Sequence, residues 1–357
     1  MKVLYLTPWY PSARDKMEGL FVQKHVEAVR AQGVDVQVIY SQRWREMWQQ
    51  WRKLKRTWGV PDVVQLNIIQ KQGLLALWLK RRYGVPYVIV EHWRGYLPEN
   101  NAVRKNGLHT RLMQVVCRNA EVVMPVSLRL RQAMQDLGFE AKCWEKINNV
   151  VDDFFFQKVD SRKSIVDSGK RKVEGGRFTF LHISCFDERA KNVKGLLRAA
   201  KILSEKTDGW QMMIVGTGKD YKQVRAYADT LDLPYGLVSW LGELTPREVD
   251  EAFDQAEAFV LPSNYENAPV VISESIAKGV PIISTRAGGI PEMVNAENGV
   301  LVTPGKDNEL AEAMAYMLNH HADFNRETIR QGGQQYSYAE VGKKLKQIYE
   351  QAIQKHQ

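Results

Sequence analysis

A chain of 357 residues with 44% hydrophobic content is long enough for two ordinary globular domains and too apolar for a disordered polymer. Polar residues follow Met1–Pro8 too soon for a secretory signal, no run reaches the ~20 apolar residues of a membrane span, and three scattered cysteines, Cys117, Cys143 and Cys185, fit a reduced cytosolic compartment better than a disulfide framework. The net charge of +9 is uneven: residues 1–170 carry 28 Lys+Arg against 16 Asp+Glu, whereas residues 171–357 carry 22 against 25, so an acidic partner is expected for the first half only.

Taken in order, Val3–Leu6 reads as a strand, a Pro-containing loop ends at Gly19, and Leu20–Ala31 repeats as an amphipathic helix before a second strand, Val34–Tyr40. This is the opening of a doubly wound sheet. Its loop lacks G-x-G-x-x-G, but a lone Gly19 before a helix lets an anion approach the backbone. Residues 42–58 differ from their surroundings. Trp44, Trp48 and Trp51 recur at helical spacing among Arg43, Arg45, Arg52, Lys53, Lys55 and Arg56. A basic helix with a tryptophan stripe suits the surface of an anionic membrane or packs on its own domain. Val63–Ile68, helix 73–83 and Tyr87–Val90 continue the alternation, and His92 follows the last strand, at the edge where open α/β sheets bind ligands. A helix over 102–118, the strand Val122–Val126 and a helix capped by Ser127 complete the first series.

Residues 160–177 are polar, Gly-containing and weakly periodic, which predicts a linker or hinge. A second series then runs through strands at 178–184, 210–215, 238–241 and 258–261, with helices at 193–206, 220–231 and 246–255. Val215-Gly-Thr-Gly218 is only half a dinucleotide fingerprint. Leu261-Pro-Ser-Asn-Tyr-Glu-Asn-Ala-Pro-Val-Val-Ile-Ser-Glu274 carries the strongest chemical signal. A buried strand stops at Pro262, Asn267 and Pro269 look like the cap and first turn of a helix, and Gly279 and Pro281 end it. Glu266 in the loop and Glu274 in the helix would then bracket a polar ligand in a strand-end crevice. Helices at 307–319 and 338–354 close the chain. Two such domains joined by a hinge imply a cleft lined by strand-end loops.

Several chemistries are missing from the sequence. It has no metal-ligand cluster, no P-loop, no hydrolase elbow and no Asp-x-Asp for a cation on a nucleotide diphosphate. A bound diphosphate would have to be met by Lys191 or Arg189 and by the helix N-terminus after Asn267.

These residues resemble the retaining glycosyltransferases of family 4 (glycosyl transferases group 1). Phe186–Ala199 with Lys191-Asn192 resembles the family's basic diphosphate loop, and Val215-Gly-Thr-Gly218 and Leu241-Gly242 resemble its base-pocket strand ends. Glu266 and Glu274 match its two glutamates separated by seven residues, and Gly288-Gly-Ile-Pro-Glu292 and Asn298–Val302 match the segments that follow. The likeness is looser in the first half, at Gly19, Glu91-His92, Pro125–Ser127 and Asn149–Asp152.

The resemblance implies an α/β, GT-B architecture: two Rossmann-like doubly wound domains facing across a cleft. Residues 1–165 would form the acceptor-side domain, 166–337 the nucleotide-sugar domain, and 338–357 a helix packing back on the first. It also implies transfer of a sugar from a UDP- or GDP-type nucleotide-sugar donor to a lipid-linked or saccharide acceptor in polysaccharide or glycolipid assembly. No metal or other cofactor and no nucleic acid would take part, and the enzyme would be cytoplasmic or peripheral on the cytoplasmic membrane face. His92 and Glu266 would be catalytic. Gly19, Arg189, Lys191, Gly216, Leu241, Gly242, Asn267, Ala268, Pro269, Val270 and Glu274 would bind the donor, and Trp44, Trp48, Trp51, Arg52 and Lys53 would face the membrane or acceptor. The chain departs from the family at Cys185, where an Arg is usual and Arg189 could substitute, and at Asn267, which follows the first glutamate. A non-catalytic subunit of the same fold, or an epimerase or phosphorylase, is the alternative.

Overall fold

The computed structural model describes residues 1–13, 15, 17–100, 102, 103, 107–157 and 176–356. The chain divides into two compact units, Met1–Val150 with Gln335–Gln357, and Val151–Gln334. Residues 160–175 of the expected linker lie outside the described residues.

The first unit begins β1 (Lys2–Thr7), α1 (Leu20–Ala31), β2 (Asp35–Tyr40), α2 (Trp44–Thr57), β3 (Val63–Asn67), α3 (Gln72–Tyr83), β4 (Tyr87–Glu91), α4 (Leu108–Asn119), β5 (Val123–Pro125) and α5 (Leu128–Asp136). Its five strands are parallel in the order β2-β1-β3-β4-β5. Every residue of β3 and β4 is buried, as expected for Val/Ile/Leu runs covered by helices on both faces. The helix expected over 102–118 begins only at Leu108, because Gly107 is extended and stops propagation toward the N-terminus. Ser127 caps α5 by accepting the N–H of Leu130.

The second unit contains β6 (Phe178–Ile183), α6 (Glu188–Lys191), α7 (Val193–Ser204), β7 (Trp210–Val215), α8 (Tyr221–Asp229), β8 (Val238–Gly242), α9 (Pro246–Asp254), β9 (Ala258–Leu261), α10 (Val270–Lys278), β10 (Ile282–Thr285), β11 (Gly299–Val302), α11 (Asp307–His320) and α12 (Arg326–Gly333). Its parallel sheet has the order β11-β10-β9-β6-β7-β8. After α12 the chain returns to the first unit as α13 (Tyr338–Gln354), which lies along α1. The Tyr349 hydroxyl is buried there within hydrogen-bonding distance of the Tyr5 hydroxyl, 2.8 Å away, and donates to Gln65.

Two local expectations are corrected, and one helix appears that the sequence does not announce. Pro269, not Asn267, occupies the N-cap of α10. The helix begins two positions later than the Asn-x-Pro pattern implies, and Asn267 is buried in the preceding loop. α12 carries no clear sequence signal; it has only eight residues, two of them glycine, and starts because the Asn325 side chain accepts the N–H groups of Glu327 and Thr328. The tryptophan stripe of α2 is turned largely inward. Trp51 is 2% exposed and Met47 1%, and Trp48 meets Trp78 edge-on with ring centroids 4.7 Å apart. The aromatic face of α3, Trp78 and Tyr83, takes the place of a lipid surface. Of the three, Trp44 stays open at 40% exposure, while Arg52 and Lys53 are exposed.

Candidate functional site

The second unit gathers most of the expected donor residues at the carboxyl edge of its sheet. α6 and the loop between β9 and α10 are held together by backbone: Asn264 donates its N–H to the Ala190 carbonyl at 2.7 Å and its side-chain amide to the Arg189 carbonyl at 3.1 Å. Asn192 then takes a left-handed conformation (φ 51°), which lets α7 begin directly after α6. These contacts bring Lys191 and Glu266 into a largely buried ion pair, with side chains 11% and 9% exposed. Ser263 also donates to Glu266 Oε1, at 3.0 Å. Each charge is compensated before any ligand arrives. Arg189 is exposed and lies over the Tyr265 ring, 5.8 Å from its centroid, on the same short helix as Lys191. Cys185 is exposed and free.

The N-terminus of α10 opens beside this pair. Its N-cap, Pro269, makes no side-chain capping bond, and although the Ile272 N–H turns back to the Pro269 carbonyl, the helix dipole favours an anion there. Ala268 and Val270 are part-exposed and Pro269 is buried. Glu274 stands one turn into α10 and is part-exposed. Across the sheet, Gly216 donates its N–H to the Gly242 carbonyl at 2.7 Å where the β7–β8 register shifts, and Leu241 is buried beneath. The aromatic wall above is Phe186, Trp240 and Tyr221. Below it, buried His182 meets the Val260 carbonyl and Ser184 Oγ, each at 2.8 Å, and burial pulls its pKa down to about 4, so it is neutral at pH 7.

Gly19 and His92 belong to the first unit. Gly19 sits left-handed (φ 70°) at the head of α1, where a Cβ would come within 2.5 Å of the Trp9 backbone, so no other residue fits. The first turns of α1 then lay Phe21 4.2 Å and His25 5.5 Å (ring centroids) from His92. His92 is part-exposed and hydrogen-bonded to Asn149; burial and the neighbouring His25 hold its pKa well below the usual imidazole value. It can donate as a neutral imidazole without placing a cation in the site. His25 is itself buried with a pKa of about 4, and its Nε2 lies 3.1 Å from the Asn148 carbonyl.

Sequence reasoning named Gly288 only as part of a family segment and did not place Ser263, Asn264 or Gly288 in the site. Ser263 and Asn264 carry a turn signal after Pro262, but nothing local says that one would touch Glu266 and the other would tie down α6. Gly288 (φ 55°) packs its Cα against the Glu266 backbone, a contact that only the β10 crossover creates.

Residues 166–335 match the family model described as glycosyl transferases group 1, and residues 4–145 match that of a glycosyl transferase 4-like domain. A lipopolysaccharide 1,6-galactosyltransferase of Escherichia coli is 26% identical over 190 residues, covering 52% of this chain and 49% of that protein. The chain thus spans about half the length of that relative. Among solved structures, the sucrose-phosphate synthase of Thermosynechococcus elongatus superposes with a TM-score of 0.79 at 16% identity, covering 99% of this chain and 100% of the other. HepE of Anabaena, solved in complex with UDP-glucose, gives 0.75 at 17% identity, covering 98% and 100%. At these identities the structures speak for the fold, two parallel-sheet α/β domains of the GT-B type.

Proposed function

The chain belongs to the glycosyl transferases group 1, and from that premise we propose that it transfers a sugar from a UDP- or GDP-type nucleotide donor to a lipid-linked or saccharide acceptor, with retention of anomeric configuration, in cell-surface polysaccharide or lipopolysaccharide assembly. The observation that carries this reading is the convergence of Lys191, Glu266 and the uncapped head of α10, with Glu274 one turn further on. A cation and a helix N-terminus suit a diphosphate, and a carboxylate one turn behind suits the two hydroxyls of a ribose. Gly216, Leu241 and Gly242 border the base. Glu266, with the backbone of Asn267 and Ala268, holds the donor sugar, and His92 donates to a substrate hydroxyl.

Chemistry at this site is mostly stabilisation of the departing diphosphate. Lys191, Arg189 and α10 supply the positive charge, so no divalent metal is invoked. Glu266 is committed to Lys191 and Ser263, which suits a positioning role better than a covalent nucleophile. The test is release of nucleoside diphosphate from a panel of UDP- and GDP-sugars offered with membrane lipid extracts and oligosaccharides. No release from any pair, with no thermal stabilisation by UDP or GDP, would sink the reading. Glu274→Ala is expected to weaken nucleoside diphosphate binding by about 1.5–3 kcal/mol, the scale of a charged hydrogen bond. Undiminished affinity in a calorimetric titration would remove Glu274 from the ribose.

The exposed cations of α2, with Trp44, are also proposed to rest on an anionic membrane. Trp44→Ala combined with Arg52→Glu and Lys53→Glu should cut sedimentation with phosphatidylglycerol vesicles at least tenfold at low salt, since each basic residue near such a surface contributes about 1 kcal/mol. Unchanged sedimentation would leave α2 as a solvated face.

A further inference from the structure

We propose that Glu91 is a positioning residue whose carboxylate clamps the end of β3 to the loop after β4 and so fixes the orientation of His92. The proposal rests on the assignment of His92 to the substrate. Glu91 is the last residue of β4 and is fully buried. Its Oε2 accepts the Ile69 N–H at 2.9 Å and the Tyr96 hydroxyl at 3.2 Å, and its Oε1 accepts the Trp93 N–H at 2.8 Å. The N–H of His92 itself also bonds to this carboxylate. One side chain therefore gathers donors from His92 itself, from the residues just after it and from the neighbouring strand end. Ile68, just before the clamped Ile69, is left-handed (φ 65°), a conformation that a β-branched residue holds only when its surroundings impose it.

An acid is the only common side chain that presents acceptors alone. A glutamine there would point an NH2 group at one set of these donors. Protonation poses the same difficulty: the added proton occupies one oxygen, and a donor loses its partner. Burial, partly offset by these hydrogen bonds, moves the Glu91 carboxyl up to about 7. The titratable groups around it are held from changing charge near pH 7. Burial keeps Tyr96, in the turn after β4, and Cys117, on α4, protonated, and it keeps His92 and His25 neutral. Glu91 is thus the group in this described cluster that changes charge near pH 7. Its protonated form relieves the burial of charge yet releases the clamp, a stability–function conflict of the kind that functional sites store.

The experiment compares wild type, Glu91→Gln and Tyr96→Phe from pH 5.5 to 8.5, reading kcat, donor KM and Tm. Wild-type kcat should fall toward tenfold per unit below about pH 7. Glu91→Gln should lose that limb and turn over at least tenfold more slowly at pH 8, with donor KM within twofold. Tyr96→Phe, a milder change, removes one donor to the carboxylate and should move the limb to higher pH. A Glu91→Gln enzyme that keeps the limb or full kcat would overturn the proposal, as would an unmoved limb in Tyr96→Phe. If the wild type turns over no donor, the glycosyltransferase reading fails, and Tm tests the clamp alone. Because its folded pKa is raised, Glu91 contributes stability that is full below about 4.5 and lost as pH rises through about 7. Wild-type Tm should therefore drop across that window relative to Glu91→Gln. Parallel curves would show that Glu91 does not titrate there and end the proposal.

Discussion

Lys191→Met is expected to lower unfolding stability by about 3–5 kcal/mol and donor turnover by roughly 10²–10³. The two losses have different causes. The first comes from Glu266, whose carboxylate is 9% exposed and would lose its counter-ion while remaining buried beside the Ser263 hydroxyl. Breaking a buried pair from one side leaves an uncompensated charge, and this costs far more than the pair itself contributes. The second comes from the missing cation beside the leaving diphosphate, whose scale is that of one lost electrostatic donor in a water-excluded site. The double variant Lys191→Met/Glu266→Gln separates them. Neutralising both partners should restore most of the urea-unfolding midpoint and none of the turnover. A single Lys191→Met variant with an unshifted midpoint would show that the pair does not exist in solution.

Gly288→Ala should be about as damaging to stability, on the order of 3–5 kcal/mol, and should abolish nucleotide binding. Gly288 is left-handed, which alone costs an alanine about 1–2 kcal/mol. Most of the cost is steric, because a Cβ at this position would overlap the carbonyl oxygen of Glu266. That oxygen belongs to the loop that holds Glu266 against Lys191 and leads into α10, so the loop cannot yield without dismantling the pair. Gly305→Ala is the control. It is also left-handed (φ 73°), but its Cβ would meet only the Asn264 side chain, at 4.0 Å. It should cost about 1–2 kcal/mol and leave nucleotide binding intact. Equal effects at the two positions, measured by chemical denaturation and UDP titration, would mean that backbone strain alone is at work.

How legible each feature is in the sequence depends on how far its signal reaches along the chain. The alternation of buried strands and amphipathic helices is legible because its periods are local, and α1, β7, β9 and α13 begin and end within about a residue of their expected bounds. Glu266 and Glu274 stand out for a similar reason, as two acids interrupting an apolar strand–turn–helix. The α2 stripe shows the limit of periodicity. A face of Trp48, Met47 and Trp51 declares that it must leave water, yet the same pattern serves a lipid surface and the Trp78–Tyr83 face of α3 equally well. Asn267 shows another limit, since an Asn-x-Pro pattern marks a helix start only to within a residue or two.

What the sequence determined by itself is the pair of doubly wound α/β series, the edges at which their loops emerge, and the residue types that suit a nucleotide diphosphate: Lys191, Arg189, Glu266, Glu274 and the helix between the acids. These follow from hydrophobic period, turn chemistry and charge, all of which act over a few residues. Only the tertiary structure decided that Lys191 and Glu266, 75 positions apart, neutralise each other, that Gly288 closes against Glu266, and that Glu91 gathers the donors around His92. The physical reason is that burial and close approach arise between elements, where crossover connections bring distant residues within reach. The charge state of a buried acid is set by those neighbours rather than by the residues beside it in the chain.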